Sequence, residues 1–157
     1  MTGVQTCALP ICSTWGTTGR TFGEAVFATG MTGYQETLTD PSYHKQVVVM
    51  TAPHIGNTGW NTEDNESAKI WVSGFVVRNP SPVTSNWRSE NDLEAELVEQ
   101  NVVGISGIDT RALTRHLRDR GAMRVGIFSG EELTREEMVI EVRKMEQMSG
   151  SFLSEDV

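Results

Sequence analysis

The sequence predicts an α/β domain built on a mixed β-sheet. Its first half contains β-branched, apolar runs bounded by turn formers, at Gly23–Gly30 and Gln46–Ala52, which are typical of strands. The second of these runs is apolar enough to predict a strand buried on both faces. Helical and extended patterns alternate in the second half. The glycine-containing stretches 56–61 and 73–80 do not supply a phosphate-binding glycine loop followed by a helix, so a doubly wound dinucleotide fold is not expected.

Three further segments complete the first half. Pro53–Ser67 is rich in Gly and Asn and predicts a loop. Ile70–Arg78 predicts a long strand, in which Gly74 marks a bulge or a close backbone approach. Asn79–Trp87 contains two prolines, which forbid regular strand pairing, and therefore predicts a turn-rich link.

Helix and strand alternate from Ser89 onward. Ser89 is predicted to cap a helix that has Asp92 in its first turn, where the helix dipole favours a carboxylate. Leu93, Leu97 and Val98 then fall on one predicted apolar face. This helix is therefore expected to pack against the sheet.

A second helix is predicted between two short strands. The strands are Asn101–Ser106 and Arg124–Gly130. The helix begins at Asp109 or Thr110 and ends at Gly121, since glycine suits the left-handed C-cap. Its buried seam is predicted to comprise Leu113 and Leu117.

The last helix carries a strong start signal. Thr134 and Glu137 have the spacing of a capping box, in which each side chain bonds the backbone N–H of the other residue. Met138, Val142 and Met145 follow at helical spacing. They predict an inner stripe, because methionines that recur in this way nearly always belong to a core.

The segment Met31–Gln46 (MTGYQETLTDPSYHKQ) has no clear helical or strand period. It is rich in turn formers, yet it carries two tyrosines and several groups able to hold a polar ligand. Pro41 fixes a turn after Asp40, and Ser42 then presents a hydroxyl and backbone groups at the tip. Spacing alone favours a plain solvated turn over a ligand site.

Composition limits what the chain can do. Its 157 residues suit one domain, and its 38% hydrophobic and 22% charged residues are typical of a soluble globular protein. The net charge of −8 argues against a nucleic-acid or anionic-membrane partner. No apolar run approaches the roughly 18 residues that cross a bilayer. Because the cysteines are confined to Cys7 and Cys12, a reducing cytoplasm is the expected location.

Residues 1–12 are predicted to be foreign to the domain. The stretch Val4–Ile11 (VQTCALPI) resembles the conceptual translation of a sequencing adapter, and no basic region precedes it as in a signal peptide. On this hypothesis the domain covers residues 13–157, its true start is lost, and both cysteines are artefacts. The alternative is an ordinary frayed terminus.

No complete catalytic unit is predicted. Neither G-x-S-x-G nor G-x-C-x-G occurs, so the sharp turn of a hydrolase nucleophile is missing. The histidines His44, His54 and His116 are scattered, which argues against a zinc site; His54 is predicted as a loop anchor rather than part of a site. Asp64 and Glu66 are close in sequence but have no visible catalytic partner, and they predict a solvated acidic loop.

One basic cluster interrupts this acidic chain. It comprises Arg111, Arg115, Arg118, Arg120 and Arg124. A solvated helix face is the plainer interpretation of such a run, and contact with an acidic partner is the alternative.

Three long segments resemble one enzyme family, in that family's order and spacing. The segments are 23–61 (GEAVFATGMTGYQETLTDPSYHKQVVVMTAPHIGNTGWN), 73–89 (SGFVVRNPSPVTSNWRS) and 104–127 (GISGIDTRALTRHLRDRGAMRVGI). Together they resemble the amino-terminal domain of the small, glutamine-using subunit of carbamoyl-phosphate synthase. The resemblance runs from about Thr14 to the end of the chain.

The resemblance implies a layered β/β/α domain of the swivelling type that does no chemistry itself. In this family a carboxy-terminal glutamine amidotransferase domain releases ammonia from glutamine. The large subunit, which uses ATP and magnesium, combines the ammonia with bicarbonate into carbamoyl phosphate for arginine and pyrimidine synthesis. The serine of D-P-S-Y reaches the bound glutamine, so the resemblance assigns glutamine binding to Ser42. It implies no catalytic residue, metal ligand or cofactor in this chain.

The chain also departs from the family pattern. A first strand pair is expected before Thr14 and is missing, which predicts an unpaired sheet edge. The glutaminase domain is absent too, because the chain stops at SGSFLSEDV (149–157). The sequence is therefore interpreted as a gene fragment that is inactive alone.

Two other interpretations stay open. The first is a free-standing scaffold or small-ligand domain with no link to a synthase; a G-x-C-x-G and a later His-x-Glu in the flanking gene would decide against it. The second is a self-sufficient hydrolase using Ser42, His44 and an aspartate. It is disfavoured for two reasons. Ser42 and His44 are only two residues apart, and the sequence has no strand-to-helix elbow, the sharp turn that presents a nucleophile to its base.

Overall fold

A computed structural model describes residues 12–130 and 132–145 of the chain. The strands are β1 (Ser13–Gly16), β2 (Gly19–Ala28), β3 (Gln46–Met50), β4 (His54–Ile55), β5 (Gly74–Val76), β6 (Asn79–Pro80), β7 (Val103–Ser106) and β8 (Met123–Ser129). The helices are α1 (Tyr34–Thr39), α2 (Leu93–Glu99), α3 (Thr110–Arg120) and α4 (Arg135–Lys144), and a short 3-10 helix covers Pro41–Tyr43. None of these helices has the length and apolar character needed to span a bilayer.

The main sheet is mixed, as the sequence predicts. Its strand order is β1-β7-β5-β3-β2-β8. The inner strands run parallel to one another, whereas β1 and β8 pair antiparallel at the two edges. The sheet curls strongly, as shown by the 2.7 Å distance between Thr14 Oγ1 in β1 and Ser129 Oγ in β8, the two edge strands. The α/β class is confirmed.

Apolar side chains pack on both faces of the sheet. Val48 and Met50 of β3 belong to one core, and Val47 and Val49 belong to the other. The prediction that this strand is buried on both faces is therefore confirmed. The first core is covered by α1 and α2, through Tyr34, Leu38, Leu93 and Leu97. The second is covered by α3, through Leu117 and the half-buried Leu113.

The segment Met31–Gln46 is more regular than its sequence indicates. It contains α1 and the short 3-10 helix. Helix α1 has only six residues, which is too few to display a helical period. Its apolar side chains in the core are Tyr34 and Leu38, which lie one turn apart. An isolated helix of this length is unstable in water, so tertiary contacts decide its conformation.

The strand predicted over Ile70–Arg78 is much shorter in the structure. Only Gly74–Val76 (β5) pairs as a strand, and the residues before it make single backbone hydrogen bonds to α1 and to the start of β3. Trp71 N donates to the Leu38 carbonyl oxygen at 2.9 Å, and Ser73 N donates to the Gln46 carbonyl oxygen at 2.8 Å. This stretch therefore ties α1 and the start of β3 together.

Gly74 lies where its neighbours leave no room for a side chain. A Cβ built on it would lie 2.9 Å from Ile127 Cδ1 and 3.3 Å from the Val103 carbonyl oxygen. The close approach predicted at this glycine is confirmed.

The prolines after β5 do not prevent pairing entirely. The two-residue strands β4 and β6 pair in parallel, with Ile55 opposite Pro80. The N–H groups on either side of Pro80 serve this pair: Asn79 N donates to the Pro53 carbonyl oxygen and Ser81 N to that of Ile55, at 3.0 and 2.7 Å. The prediction that regular pairing is forbidden here is wrong only for Asn79 and Pro80, because the missing proline N–H falls at a position the ladder does not use; the rest of the segment is a turn-rich link, as predicted.

Helix α2 begins later than its sequence indicates. Its N-cap is Asp92, whose Oδ1 accepts a hydrogen bond from Ala95 N at 2.7 Å. Ser89, the predicted cap, donates its hydroxyl to the Asn91 carbonyl oxygen instead. Val98, predicted on the buried face, is 50% exposed.

The starts of the last two helices are confirmed. Asp109 caps α3, and the helix ends before Gly121 as predicted; the left-handed cap predicted at Gly121 is wrong, because its φ of 84° is combined with a ψ of −179°. Both hydrogen bonds of the capping box between Thr134 and Glu137 are present at the start of α4. Of the predicted stripe in α4, Val142 is buried, and Met138 and Met145 are half-buried.

Candidate functional site

Buried polar side chains anchor the segment Met31–Gln46 to the neighbouring loop. Gln35, in the first turn of α1, is only 4% exposed. Its Nε2 donates to the Asn61 carbonyl oxygen and to Asn65 Oδ1, and its Oε1 accepts from Asn61 N at 3.1 Å. Because both donors of this buried amide are satisfied, Gln35 fixes the loop relative to α1.

Further hydrogen bonds hold both ends of α1. At its start, Tyr34 Oη accepts from Thr58 N at 2.9 Å. At its end, Thr39 Oγ1 accepts from Glu66 N at 2.9 Å, and the Thr39 carbonyl oxygen accepts from Ser67 Oγ at 2.6 Å. The helix is therefore clamped along its length, although it is too short to be stable by itself.

The turn Asp40–Tyr43, here called the Ser42 turn, follows α1 directly. Asp40 Oδ1 accepts from Ser42 N at 2.8 Å, and the Asp40 carbonyl oxygen accepts from Tyr43 N at 3.1 Å. Pro41 occupies the first position of the 3-10 helix. Ser42 is exposed, and its hydroxyl has no hydrogen-bond partner among residues 12–130 and 132–145. The backbone N–H of Ser42 is thus already bonded to Asp40, whereas the Ser42 hydroxyl is available to a ligand.

A polar cleft of about 190 Å³ opens at the other end of α1. Its lining includes Thr32, Gln35, Glu36, Asn61, Asp64 and Asn86. Ser42 does not line it. The amide, hydroxyl and carboxylate groups make this cleft suitable for polar or cationic groups.

Asp64 is the best organised carboxylate of the polar cleft. Asn61 Nδ2 donates to Asp64 Oδ2, and Arg88 Nη2 donates to Asp64 Oδ1, each at 2.8 Å. The hydrogen bond from Asn61, followed by that from Arg88, lowers the pKa of Asp64. The prediction of a solvated acidic loop is confirmed for Glu66, which is exposed. It is wrong for Asp64, which is half-buried and hydrogen-bonded.

The histidines lie on different elements. His44 packs edge-to-face against Trp71, with ring centroids 5.4 Å apart. His54 is exposed in β4, and His116 is half-buried on α3. In the part of the chain that the structure describes, no three His, Cys, Asp or Glu side chains are grouped to hold a metal ion.

The arginine cluster lies mainly on α3. Its exposed members are Arg111, Arg115, Arg118 and Arg120. Arg118 Nε is 3.8 Å from Asp119 Oδ1, a surface pair that contributes at most about 1 kcal/mol. Arg124 does not belong to this face, because it lies in β8 and donates its Nη1 to the Met145 carbonyl oxygen at 2.7 Å. At 100° per residue, Arg111, Arg115 and Arg118 fall on one face of α3, here called the arginine stripe, whereas Arg120 falls on the opposite face.

Comparison with known proteins gives one consistent match. Residues 8–127 match the family described as carbamoyl-phosphate synthase small chain, CPSase domain. The match starts within residues 1–12, the segment predicted to be foreign; residues 1–11 lie outside the described region, and a domain boundary at residue 12 stays a prediction.

Several curated relatives carry the name carbamoyl phosphate synthase small chain. The chain is 71% identical over 144 residues to the one from Streptomyces coelicolor, 58% over 146 residues to that from Mycobacterium tuberculosis, and 55% over 152 residues to that from Bifidobacterium longum. Each alignment covers 91% of this chain but only 37–39% of the relative. The chain thus spans less than two fifths of the length of these relatives.

Proposed function

Because the chain belongs to the carbamoyl-phosphate synthase small-chain family, we propose that it is the non-catalytic, amino-terminal part of such a small chain. In the proposed enzyme, a glutaminase domain outside this chain releases ammonia from glutamine. A large subunit, with ATP and magnesium, then combines the ammonia with bicarbonate into carbamoyl phosphate. The product serves arginine and pyrimidine synthesis in the cytoplasm.

The Ser42 turn is the feature that carries the proposal. A serine hydroxyl can donate to the carboxylate of an amino acid or accept from its ammonium group. The bond from Ser42 N to Asp40 holds the turn in one conformation, which lowers the entropy lost when a ligand binds. An exposed single hydroxyl cannot enclose glutamine, so the rest of the pocket must come from another domain. We therefore propose that Ser42 completes a glutamine pocket built mainly elsewhere.

The proposal predicts that Ser42 governs glutamine use but not ammonia use. In a full-length small chain assembled with its large subunit, Ser42→Ala should raise the KM for glutamine about tenfold or more, the effect of losing a hydrogen bond to a charged group. Carbamoyl-phosphate synthesis from externally added ammonia should be unchanged, because it bypasses the glutamine pocket. Steady-state kinetics with each nitrogen source measures both.

Ser13→Ala is the matched control, since Ser13 is also an exposed serine but lies in β1. It should leave both activities unaltered. If Ser42→Ala left the glutamine KM unchanged, or reduced both activities equally, Ser42 would not contact glutamine.

The same proposal predicts that this chain hydrolyses no glutamine by itself. The nucleophile, base and acid of the reaction are assigned to another domain, and this chain has no nucleophile elbow. Ammonia release from glutamine by the purified 157-residue chain is the measurement. Turnover above the buffer rate would refute the non-catalytic role.

We propose the large subunit as the partner of the arginine stripe on α3. Reversing two of its charges, by Arg115→Glu with Arg118→Glu, should weaken retention of the large subunit in a pull-down and reduce the salt dependence of binding. The charge-matched control is Arg135→Glu with Arg143→Glu on α4, both exposed. Equal retention by the two double variants would show that the stripe is only a solvated helix face.

A further inference from the structure

Two large apolar side chains project into solvent beside the polar cleft. Trp87 is 91% exposed and Met31 is 75% exposed. Their chain neighbours Asn86 and Thr32 both line the cleft. A tryptophan exposed to this degree is unusual, because an aromatic side chain loses much favourable burial when it is left in water.

The turn that carries Trp87 is firmly built. Asn86 Oδ1 accepts from Arg88 N at 3.2 Å, and the Asn86 carbonyl oxygen accepts from Ser89 N at 3.1 Å. Arg88 Nη2 bonds both Glu63 Oε2 and Asp64 Oδ1, at 3.0 and 2.8 Å. Because both neighbours of Trp87 are held by these contacts, the backbone that presents the indole is fixed before any partner arrives.

The part of the cleft next to Met31 is fixed as well. Thr32 and Gly33 lead from Met31 into α1, and the buried amide of Gln35 joins α1 to Asn61. Exposed aromatic and methionine side chains on a rigid support are typical of the few residues that dominate binding at protein interfaces. A preorganised surface of this kind loses little conformational entropy on docking.

We propose that Met31, Trp87 and the polar cleft beside them form the docking surface for the remainder of the small-chain polypeptide. This inference rests on the proposed function, in which Ser42 reaches a pocket in another domain of that polypeptide. Helix α1, which separates the cleft from the Ser42 turn, has six residues and is about 9 Å long. A standard interface buries about 800 Å² on each partner, roughly 30 Å across, and so covers both ends of such a helix.

The length of the relatives supports this occupant. The Streptomyces coelicolor small chain extends well beyond the 38% of its length that this chain matches. The unmatched part must meet this domain at a surface near Ser42 if Ser42 is to share its glutamine pocket. Two exposed apolar anchors one helix length away provide such a surface. The cleft beside them is lined by Glu36 and Asn86, which suit polar or cationic groups of a partner.

Site-specific photo-crosslinking in a full-length chain tests the proposal. The chain is made by joining this sequence to the parts of the Streptomyces coelicolor small chain that have no counterpart in it, and is assembled with the large subunit. A benzophenone amino acid replaces Trp87 in one variant and Ile140 in the control. Ile140 is 51% exposed on α4, which packs against β8. Mass spectrometry identifies the cross-linked peptide.

The Trp87 probe should cross-link to a peptide from the unmatched part of the small chain, and the Ile140 probe should not. Cross-links only to the large subunit, only to a second copy, or to nothing would each overturn the proposal. A second variant, Met31→Ala with Trp87→Ala, should also be tested. Trypsin should cleave this domain from the remainder of the small chain about ten times faster in that variant, the effect of losing one dominant contact. An unchanged rate would also count against the docking surface.

This result is separable from the glutamine assay. If the cross-link forms while Ser42→Ala leaves glutamine use unchanged, the docking surface stands and the glutamine role of Ser42 fails. If Ser42→Ala impairs glutamine use and the cross-link does not form, the reverse holds.

Discussion

Asp64 is held in its charged form by hydrogen bonds from Asn61 and Arg88. These bonds lower its pKa below the ordinary value of 3.8. A carboxyl group with a lowered pKa in the folded state stabilises the fold above its unfolded pKa, and this stabilisation is lost as the pH falls. The loop between β4 and β5 should therefore loosen in acid as Asp64 takes up a proton.

Asp64→Asn should lower the free energy of unfolding at pH 7, because the charged hydrogen bond with Arg88 is lost. The difference from the unmodified chain should shrink as the pH falls below 3.8. Urea unfolding at a series of pH values measures it. Glu66→Gln, an exposed carboxylate in the same loop, is the control and should have a small effect at every pH. A penalty for Asp64→Asn that did not vary with pH would contradict this account.

Individual residues of the site were predictable only where a local motif marks them. The turn at Asp40 and Pro41 could be anticipated, because both residues have local turn chemistry. The pairing of Gln35 with Asn61 could not, since it joins residues 26 positions apart through buried side chains. Arg88 gave no local signal either, because its carboxylate partner Asp64 lies 24 positions earlier.

Helix α2 shows how a cap can be misplaced by one turn. Ser89 and Asp92 are both good N-cap residues, and the sequence does not decide between them. The structure uses Asp92, because the Ser89 hydroxyl and the residues up to Asn91 are committed to the loop beside Trp60.

Asp92→Ala should destabilise the chain by about 0.5–2 kcal/mol, the usual cost of losing a side-chain cap. Asp92→Asn should restore most of this stability, because asparagine caps helices as well as aspartate does. Chemical denaturation of the three proteins decides the matter. If the asparagine variant were as unstable as the alanine variant, the carboxylate charge and not the cap would be the source of the stability.

Among the elements, those with a clear apolar pattern or a complete cap were predictable. The two-sided burial of β3 followed from its unbroken apolar run, and α4 followed from the capping box. Helix α1 and the β4–β6 pair were not predictable, because each has too few residues to establish a period and depends on distant contacts. Membership of a mixed α/β class followed from the order of the elements, but the curl of the sheet did not.

The two edges of the sheet meet through Thr14 and Ser129. Their side-chain hydrogen bond joins β1 to β8, which the strand order places at opposite ends. Ser129 is only 5% exposed, so its hydroxyl depends on this contact for much of its hydrogen bonding.

A double-mutant cycle with Thr14→Val and Ser129→Ala should give a coupling of about 0.5–1.5 kcal/mol in the free energy of unfolding. The coupling arises because either change alone leaves the remaining hydroxyl without its partner. Equilibrium unfolding of the two single variants and the double variant measures it. Strictly additive effects would mean that the edges do not meet in solution.

The joined edges also constrain the order in which the molecule can form during translation. Thr14 and Ser129 are 115 positions apart, and β2 pairs with β8 from Gly19 to Ala25. The first two strands therefore leave the ribosome long before β8 is synthesised. Until then, the row of backbone N–H and C=O groups on the β8 side of β2 has no strand to pair with. A nascent chain halted before Met123 would expose that row to other polypeptides, which makes the early strands clients for chaperones until β8 arrives.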